Sequence, residues 1–359
     1  MNHTTSPSAP RLANGARVTK RAFLALGVCL AAASFGAASA ETYELKVSHY
    51  LPPNHTMHKE LERWAADLDK KSGGRLKLSI FPSGQMGPVT RQFDLARTGV
   101  ADISFFLHGV MPGRFPLTEL TQVPYAFNPD GQNKPLSVAQ ASAVVTSMAG
   151  RLAKEHEGTR VLYVIGQANI GLFFNKSTVR KPEDMKGMRI RHNGPLASKM
   201  INAWGATPAA VAPVELADAL EKGVIDGMTF NYEAAQSFQM GSAVKHVTAI
   251  NAYAATFGLV MNGKKYDALP ADLRKLIDDT TGVEGARRVG ALYDASEAAG
   301  RLYMLENKAE LIEPTAEEAM AFRKPVMPLV DETIKATEDK GWAARPFYTE
   351  LRTRVNAAK

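Results

Sequence analysis

Two arginines, Arg189 and Arg191, stand two positions apart immediately before the loop His192-Asn193-Gly194-Pro195. A guanidinium is planar and permanently charged, and it presents five N–H donors in a fork that matches a carboxylate. At the end of a strand running from Met188, Arg191 is therefore placed to capture a carboxylate at the strand-to-loop junction. The same spacing also suits two side chains sharing one solvated strand face, since residues i and i+2 project to the same side. His49, His55 and His58 form a second cluster, but no carboxylate completes a zinc-type ligand set nearby. They read as surface or capping histidines, and no metal or cofactor is expected. Covalent and nucleotide chemistry has no local nominee: the chain lacks a Gly-x-Ser-x-Gly elbow, a Walker loop and a Gly-x-Gly-x-x-Gly loop.

The elements that must position these groups follow from hydrophobic periodicity. Leu45 to Ser48 reads as a strand, and Met57, Leu61, Trp64, Ala65 and Leu68 recur at helical spacing up to Gly73-Gly74. Leu76, Leu78 and Ile80 alternate with polar residues as a second strand closed by Pro82-Ser83-Gly84. Val89 to Thr98 reads as a helix ended by Gly99, and Ala101 to Phe106 as a buried strand. The order βαβαβ returns downstream: strand 188–191, helix 196–204, strand 208–211, helix 214–222, strand 225–230. Gly99-Val100-Ala101-Asp102 and Gly223-Val224-Ile225-Asp226 occupy the same place in each unit. Two α/β lobes are expected, with ligands outside the carboxyl ends of their strands, in the cleft between them. From 271 to 308 the chain reads as mostly helical, with Gly282, Gly285, Gly290 and Gly300 as breaks or close-packing points, and a long bridging helix is one outcome. The expected lobes are 41–166 with about 254–290, and about 167–253 with 291–359.

The N-terminal forty residues differ from the rest. Arg11, Arg17, Lys20 and Arg21 precede the apolar run Ala22 to Ala38, and Ala38-Ser39-Ala40 has the form of a cleavage site. Residues 1–40 read as a cleaved signal peptide directing the chain to the periplasm. The run is short and rich in small residues for a bilayer anchor. Lys20-Arg21 resembles a twin-arginine signal with Lys in the first place, so ordinary export is favoured, and Val28 before Cys29 is too large for a lipobox. Loss of this leader lowers the net charge from +7 to +3. The remaining basic pairs, such as Lys70-Lys71 and Arg287-Arg288, are scattered, which argues against nucleic acid as a partner. Cys29 is the single cysteine, so the exported chain has no disulfide and no thiol nucleophile. A periplasmic hydrolase acting on a small organic acid derivative is the alternative, because a triad assembled in space leaves no local signature.

Several linked motifs carry a resemblance across essentially the whole exported chain. They are Leu45-Lys46-Val47-Ser48-His49, Gly73-Gly74 with Phe81-Pro82-Ser83-Gly84-Gln85-Met86-Gly87, Val123-Pro124-Tyr125-Ala126-Phe127, Glu183 to Arg191, Gly205-Ala206-Thr207-Pro208 and Gly223-Val224-Ile225-Asp226-Gly227. In these the chain resembles the DctP-type solute-binding proteins of TRAP transporters. The resemblance implies a two-lobed, periplasmic-binding-protein-like α/β fold, capture of a small organic acid, delivery to integral membrane subunits of a TRAP transporter, and a monomer. It puts the family's carboxylate-binding arginine on Arg191. Other family pocket positions fall near Tyr50, near Leu107 and His108, and at Phe230 with Asn231 beside it; Asn193 lies in the loop after Arg191. Where some relatives carry polar groups, this chain has Gly171 and Phe230. An apolar or aromatic carboxylate is therefore expected, with Phe106, Phe173, Phe230 and Tyr50 around its body. Each of these aromatics fits a packed core equally well.

Overall fold

The computed structural model describes residues 41–128, 134–167 and 169–358, so the leader and its cleavage site lie outside the described residues. Strand β1 (Tyr43–His49), helix α1 (Thr56–Lys71), β2 (Leu76–Phe81), α2 (Gln92–Thr98) and β3 (Ile103–Leu107) follow in the order that patterning predicts. Met57, Leu61, Trp64 and Leu68 bury one stripe of α1, and the His55 side chain caps its first turn by accepting from the Met57 N–H at 3.1 Å. Gly99 ends α2 at φ 80, a left-handed conformation that suits glycine.

After α3 (Val138–Ser147) and β4 (Thr159–Gln167), the chain enters β5 (Gly171–Phe174) and then a second βαβαβ unit. That unit consists of β6 (Arg189–Arg191), α4 (Pro195–Ala203), β7 (Thr207–Ala209), α5 (Leu216–Glu221) and β8 (Gly227–Phe230). Pro208 is tolerated in β7 because β7 is an edge strand. The two units share an anchoring device. Asp102 accepts the Lys46 N–H at 2.7 Å while its own N–H donates to the Lys46 carbonyl at 2.9 Å. Asp226 treats Arg189 in the same way, at 2.7 and 2.8 Å. The short sequence echo thus marks equivalent positions, where each aspartate clips the third strand of its unit to the first.

The strands form two sheets. One has the order β2-β1-β3-β10-β4, where β10 (Ala255–Asn262) runs antiparallel between β3 and β4. The other has the order β11-β9-β5-β8-β6-β7, with β9 (His246–Thr248) and β11 (Glu310–Ile312) beyond the antiparallel β5. Helix α6 (Tyr232–Ser237) follows β8. The chain passes between sheets from β4 to β5 and returns from β9 to β10, and these crossings meet where Gln167 pairs with Ala255.

Of the glycines expected to interrupt the 271–308 helix, only Gly282 does so. It separates α7 (Ala271–Thr280) from the 25-residue α8 (Gly282–Glu306). Gly290 and Gly300 are close-approach positions instead: a Cβ on Gly290 would fall 2.5 Å from Ala139 Cα on α3, and one on Gly300 2.2 Å from the Tyr232 carbonyl on α6. Helix α8 therefore lies against elements of both sheets. The C-terminal helix Ala344–Ala357 packs on α3, and its Arg352 Nη1 donates to the Ala126 carbonyl at 2.6 Å.

Candidate functional site

Arg189 and Arg191 have different fates although two residues apart. Arg189 is exposed, pairs with Asp226 at 3.2 Å and donates to the Gly223 carbonyl at 2.7 Å. Arg191 is only 4% exposed. Its Nε donates to the Val211 carbonyl at 3.2 Å and Nη1 to the Thr229 carbonyl at 3.5 Å, while Thr229 Oγ1 donates back to the Arg191 carbonyl at 3.2 Å. Backbone oxygens thus hold the head group without neutralising it, and among the described residues no carboxylate pairs with it. Burial pushes the guanidinium down to about 10, so it remains a cation at neutral pH. A buried charge without a counter-ion is costly and therefore favours an anion brought from outside.

The guanidinium faces a cavity between the two sheets. The first sheet's side supplies Tyr50 and Leu51 after β1, Leu107 from β3, Gln167 from β4, and Ala255 and Phe257 from β10. The second side supplies Arg191, Thr229, Phe230 and Asn231, with Glu233, Ala234 and Phe238 from the region of α6, and Tyr293 of α8 closes the wall. Phe230 stands 6.0 Å from the Arg191 head group, measured to the ring centre. Among the described residues, the lining holds one arginine and no lysine. Its one carboxylate, Glu233, is engaged by His55 Nε2 at 3.2 Å, by the Thr56 N–H at 3.2 Å and by Ser237 Oγ at 2.9 Å.

The model of the bacterial extracellular solute-binding proteins, family 7, matches residues 47–337. The chain belongs to this family. Among solved structures, it is similar to a marine-metagenome TRAP solute-binding protein specific for aromatic acids, solved with metahydroxyphenylacetate. The TM-score is 0.83 and the identity 25%, over 88% of this chain and 99% of that one. A TRAP solute-binding protein from Rhodoferax ferrireducens, solved with copurified benzoate, gives a TM-score of 0.81 at 27% identity, over 88% and 98% of the two chains. The C4-dicarboxylate-binding periplasmic protein DctP of Rhodobacter capsulatus is 24% identical, over 82% of this chain and 87% of its own length. The protein is thus a two-lobed TRAP solute-binding protein, and its relatives are binding proteins, which leaves the hydrolase alternative without support.

Of the residues singled out from the sequence of this solute-binding protein, Tyr50, Arg191, Asn193, Phe230 and Asn231 line the cavity. Phe106, His108 and Phe173 do not. Strand residues alternate in direction, so Leu107 reaches the cavity while Phe106 points through the other face of β3 into a cluster with Phe93 at 5.1 Å and Phe115 at 5.4 Å. His108 is held behind that face, with Nδ1 2.9 Å from the Thr256 carbonyl and Nε2 3.1 Å from His156 Nε2. It borders a separate small cavity with Gly109, Asn193 and Tyr253, whose hydroxyl donates to Asn193 Oδ1 at 2.8 Å. Phe173 lies in the core, its ring edge-on to Phe230 at 6.1 Å, and backs the cavity wall without forming it.

The three N-terminal histidines are buried, not superficial. His55 is the α1 cap. The Leu51 N–H donates to His49 Nδ1 at 3.2 Å, which leaves Nε2 as the donor to His58 Nδ1 at 3.0 Å, and His58 Nε2 then faces Glu62 at 3.2 Å. Burial, reinforced by His58 and His55, pushes His49 down to about 3. Among the described residues no group of three or more histidine, cysteine, aspartate or glutamate side chains is arranged to hold a metal ion.

Among the lining residues that sequence reading missed are Gln167, Tyr293, Glu233, Phe238 and Phe257, with His55 noticed only as a cap. The crossing strands and α8 bring Gln167, Phe257 and Tyr293 to the cavity from far along the chain, while Glu233 and Phe238 follow Phe230 in and just after α6. The one local signal is Gln167, a polar residue closing the apolar run Val161 to Gly166.

Proposed function

We propose that this protein captures a small monocarboxylate with an aromatic or otherwise apolar body and delivers it to the integral membrane subunits of a TRAP transporter. The observation that carries the reading is the buried, counter-ion-free Arg191 at the wall of a largely apolar cavity. In this reading Arg191 binds the carboxylate, Asn193 and Asn231 supply polar contacts, and Tyr50 and Phe230 flank the body. A single cation in the lining favours one carboxylate over two, and the aromatic acids bound by the two solved relatives support the same class of ligand. The exported form is read as a periplasmic monomer that starts after residue 40 and closes its lobes, 41–166 with about 254–290 and about 167–253 with 291–359, around the solute. The terminal helix reaches back over α3.

A thermal-shift panel of aromatic monocarboxylates, sugar acids and dicarboxylates tests the reading, because a ligand that binds only the folded state raises its stability by mass action. Stabilisation by aromatic monocarboxylates is expected. A response confined to sugar acids or dicarboxylates would sink it.

A further inference from the structure

Two buried side-chain oxygens on the cavity-lining residues have no hydrogen-bond partner: Gln167 Oε1 and Tyr293 Oη. Such atoms are uncommon in folded proteins, and each calls for a physical reason.

The Gln167 nitrogen donates to Glu297 Oε1 at 2.8 Å and to Asn169 Oδ1 at 2.9 Å. In this orientation Oε1 is an acceptor with nothing to accept. Glu297 is itself anchored by the Tyr232 and Glu233 N–H groups at 3.1 and 3.0 Å, and by Asn231 Nδ2. Tyr293 lies four residues before Glu297 on α8, the spacing at which helical side chains are neighbours. Its ring stands edge-on to His55 at 6.1 Å. Burial raises the phenol well above its ordinary range, which keeps the proton on Oη and leaves it able to donate.

We propose that Gln167 and Tyr293 form a hydroxyl-recognition subsite, so that the solute is a hydroxylated monocarboxylate whose hydroxyl donates to Gln167 Oε1 and accepts from Tyr293 Oη. A hydroxyl can donate to Gln167 Oε1 and accept from Tyr293 Oη at the same time. A ketone or ether oxygen would accept from Tyr293 but leave Gln167 Oε1 bare, and a hydrogen or methyl would leave both bare. The inference rests on carboxylate capture by Arg191, which fixes the other end of the ligand.

Calorimetry with matched pairs tests it: benzoate against 3- and 4-hydroxybenzoate, and phenylacetate against its 3- and 4-hydroxy forms. At least one hydroxylated acid should bind the wild-type protein about tenfold or more tightly than its parent, as expected of a site built to bond a hydroxyl. Tyr293→Phe should reduce that preference to within about threefold. Parent acids that bind with no hydroxylated form preferred would overturn the subsite and leave carboxylate capture standing. A preference that survives Tyr293→Phe undiminished would do the same. Failure of every acid to bind would overturn carboxylate capture and the subsite together.

Discussion

The backbones of Gly109 and Gly194 meet where the turns after β3 and β6 touch: a Cβ on Gly109 would fall 2.7 Å from the Asn193 carbonyl oxygen, and one on Gly194 2.8 Å from the Gly109 carbonyl oxygen. Gly109 belongs to the turn after β3, the third strand of its βαβαβ unit, and Gly194 to the turn after β6, the first strand of the other. A methyl group at Gly109 meets backbone, which cannot rotate away, so the two loops must part. Gly109→Ala is therefore expected to weaken ligand binding about tenfold, roughly 1.4 kcal/mol, with little change in the ligand-free melting temperature. Calorimetry beside thermal unfolding checks this, and unchanged affinity would show that the loops need not touch in the bound state.

Arg191→Ala is expected to weaken binding about a hundred- to several-thousand-fold, since removing one partner of a desolvated charge pair costs about 3–5 kcal/mol. Arg191→Lys should recover only part of the loss, because an ammonium cannot offer two parallel N–H bonds to one carboxylate. Affinity of the alanine variant within about fivefold of wild type would remove Arg191 from the anchor role.

The repeated βαβαβ order was legible because each half-buried strand and amphipathic helix writes its period into the chain, and Gly99, Gly205 and Gly223 punctuate it. Strands β4 and β10 were not, because Leu162 to Ile165 and Leu259 to Met261 are continuously buried and show no alternation. The site was legible in the same proportion. Arg191 stands out by its chemistry at a strand end, and Tyr50 and Phe230 lie at or just beyond strand ends whose place the period fixes. Phe106 was misplaced because no pattern tells which of Phe106 and Leu107 turns toward the cleft. Tyr293 and Gln167 depend on how α8 and the crossings return, and that is decided by close packing at Gly290 and Gly300.

Glu297 gives this fold a pH signature. Burial, partly offset by hydrogen bonds from Asn231 and the Glu233 N–H, raises its carboxyl from 4.5 to about 7. The folded chain thus holds a proton that the unfolded chain releases near pH 4.5, so the contribution to stability is complete below that pH and is lost as pH rises through about 7. Buried histidines act in the opposite sense: His49, pushed down to about 3, and His156, pushed down to about 4, mainly by burial, cost stability as pH falls below 6.5. These cancel when wild type is compared with Glu297→Gln at each pH. The wild type's stability relative to the variant should therefore fall by about 2–3 kcal/mol between pH 4.5 and 7, read from denaturant unfolding. A difference that stays level across this range would place the titration elsewhere.

Discrimination between one carboxylate and two follows from charge alone. Among the described residues Arg191 is the cavity's one arginine, no lysine joins it, and the wall that includes His55 carries Glu233. Burial lowers the His55 pKa despite Glu233, so the pair offers no permanent cation to a second anion at neutral pH. A second carboxylate on the ligand would lose its water and meet apolar rings or the negative Glu233. The price of that desolvation is several kcal/mol per ion, so C4-dicarboxylates such as succinate should bind at least about a hundredfold more weakly than benzoate or its hydroxylated forms. Competition calorimetry at neutral pH measures the ratio directly. Comparable affinities would mean that a second cation reaches the bound ligand. Glu233→Gln, which removes the opposing charge while keeping an acceptor for His55, should narrow the gap by favouring the dicarboxylate and leave the monocarboxylate within about threefold.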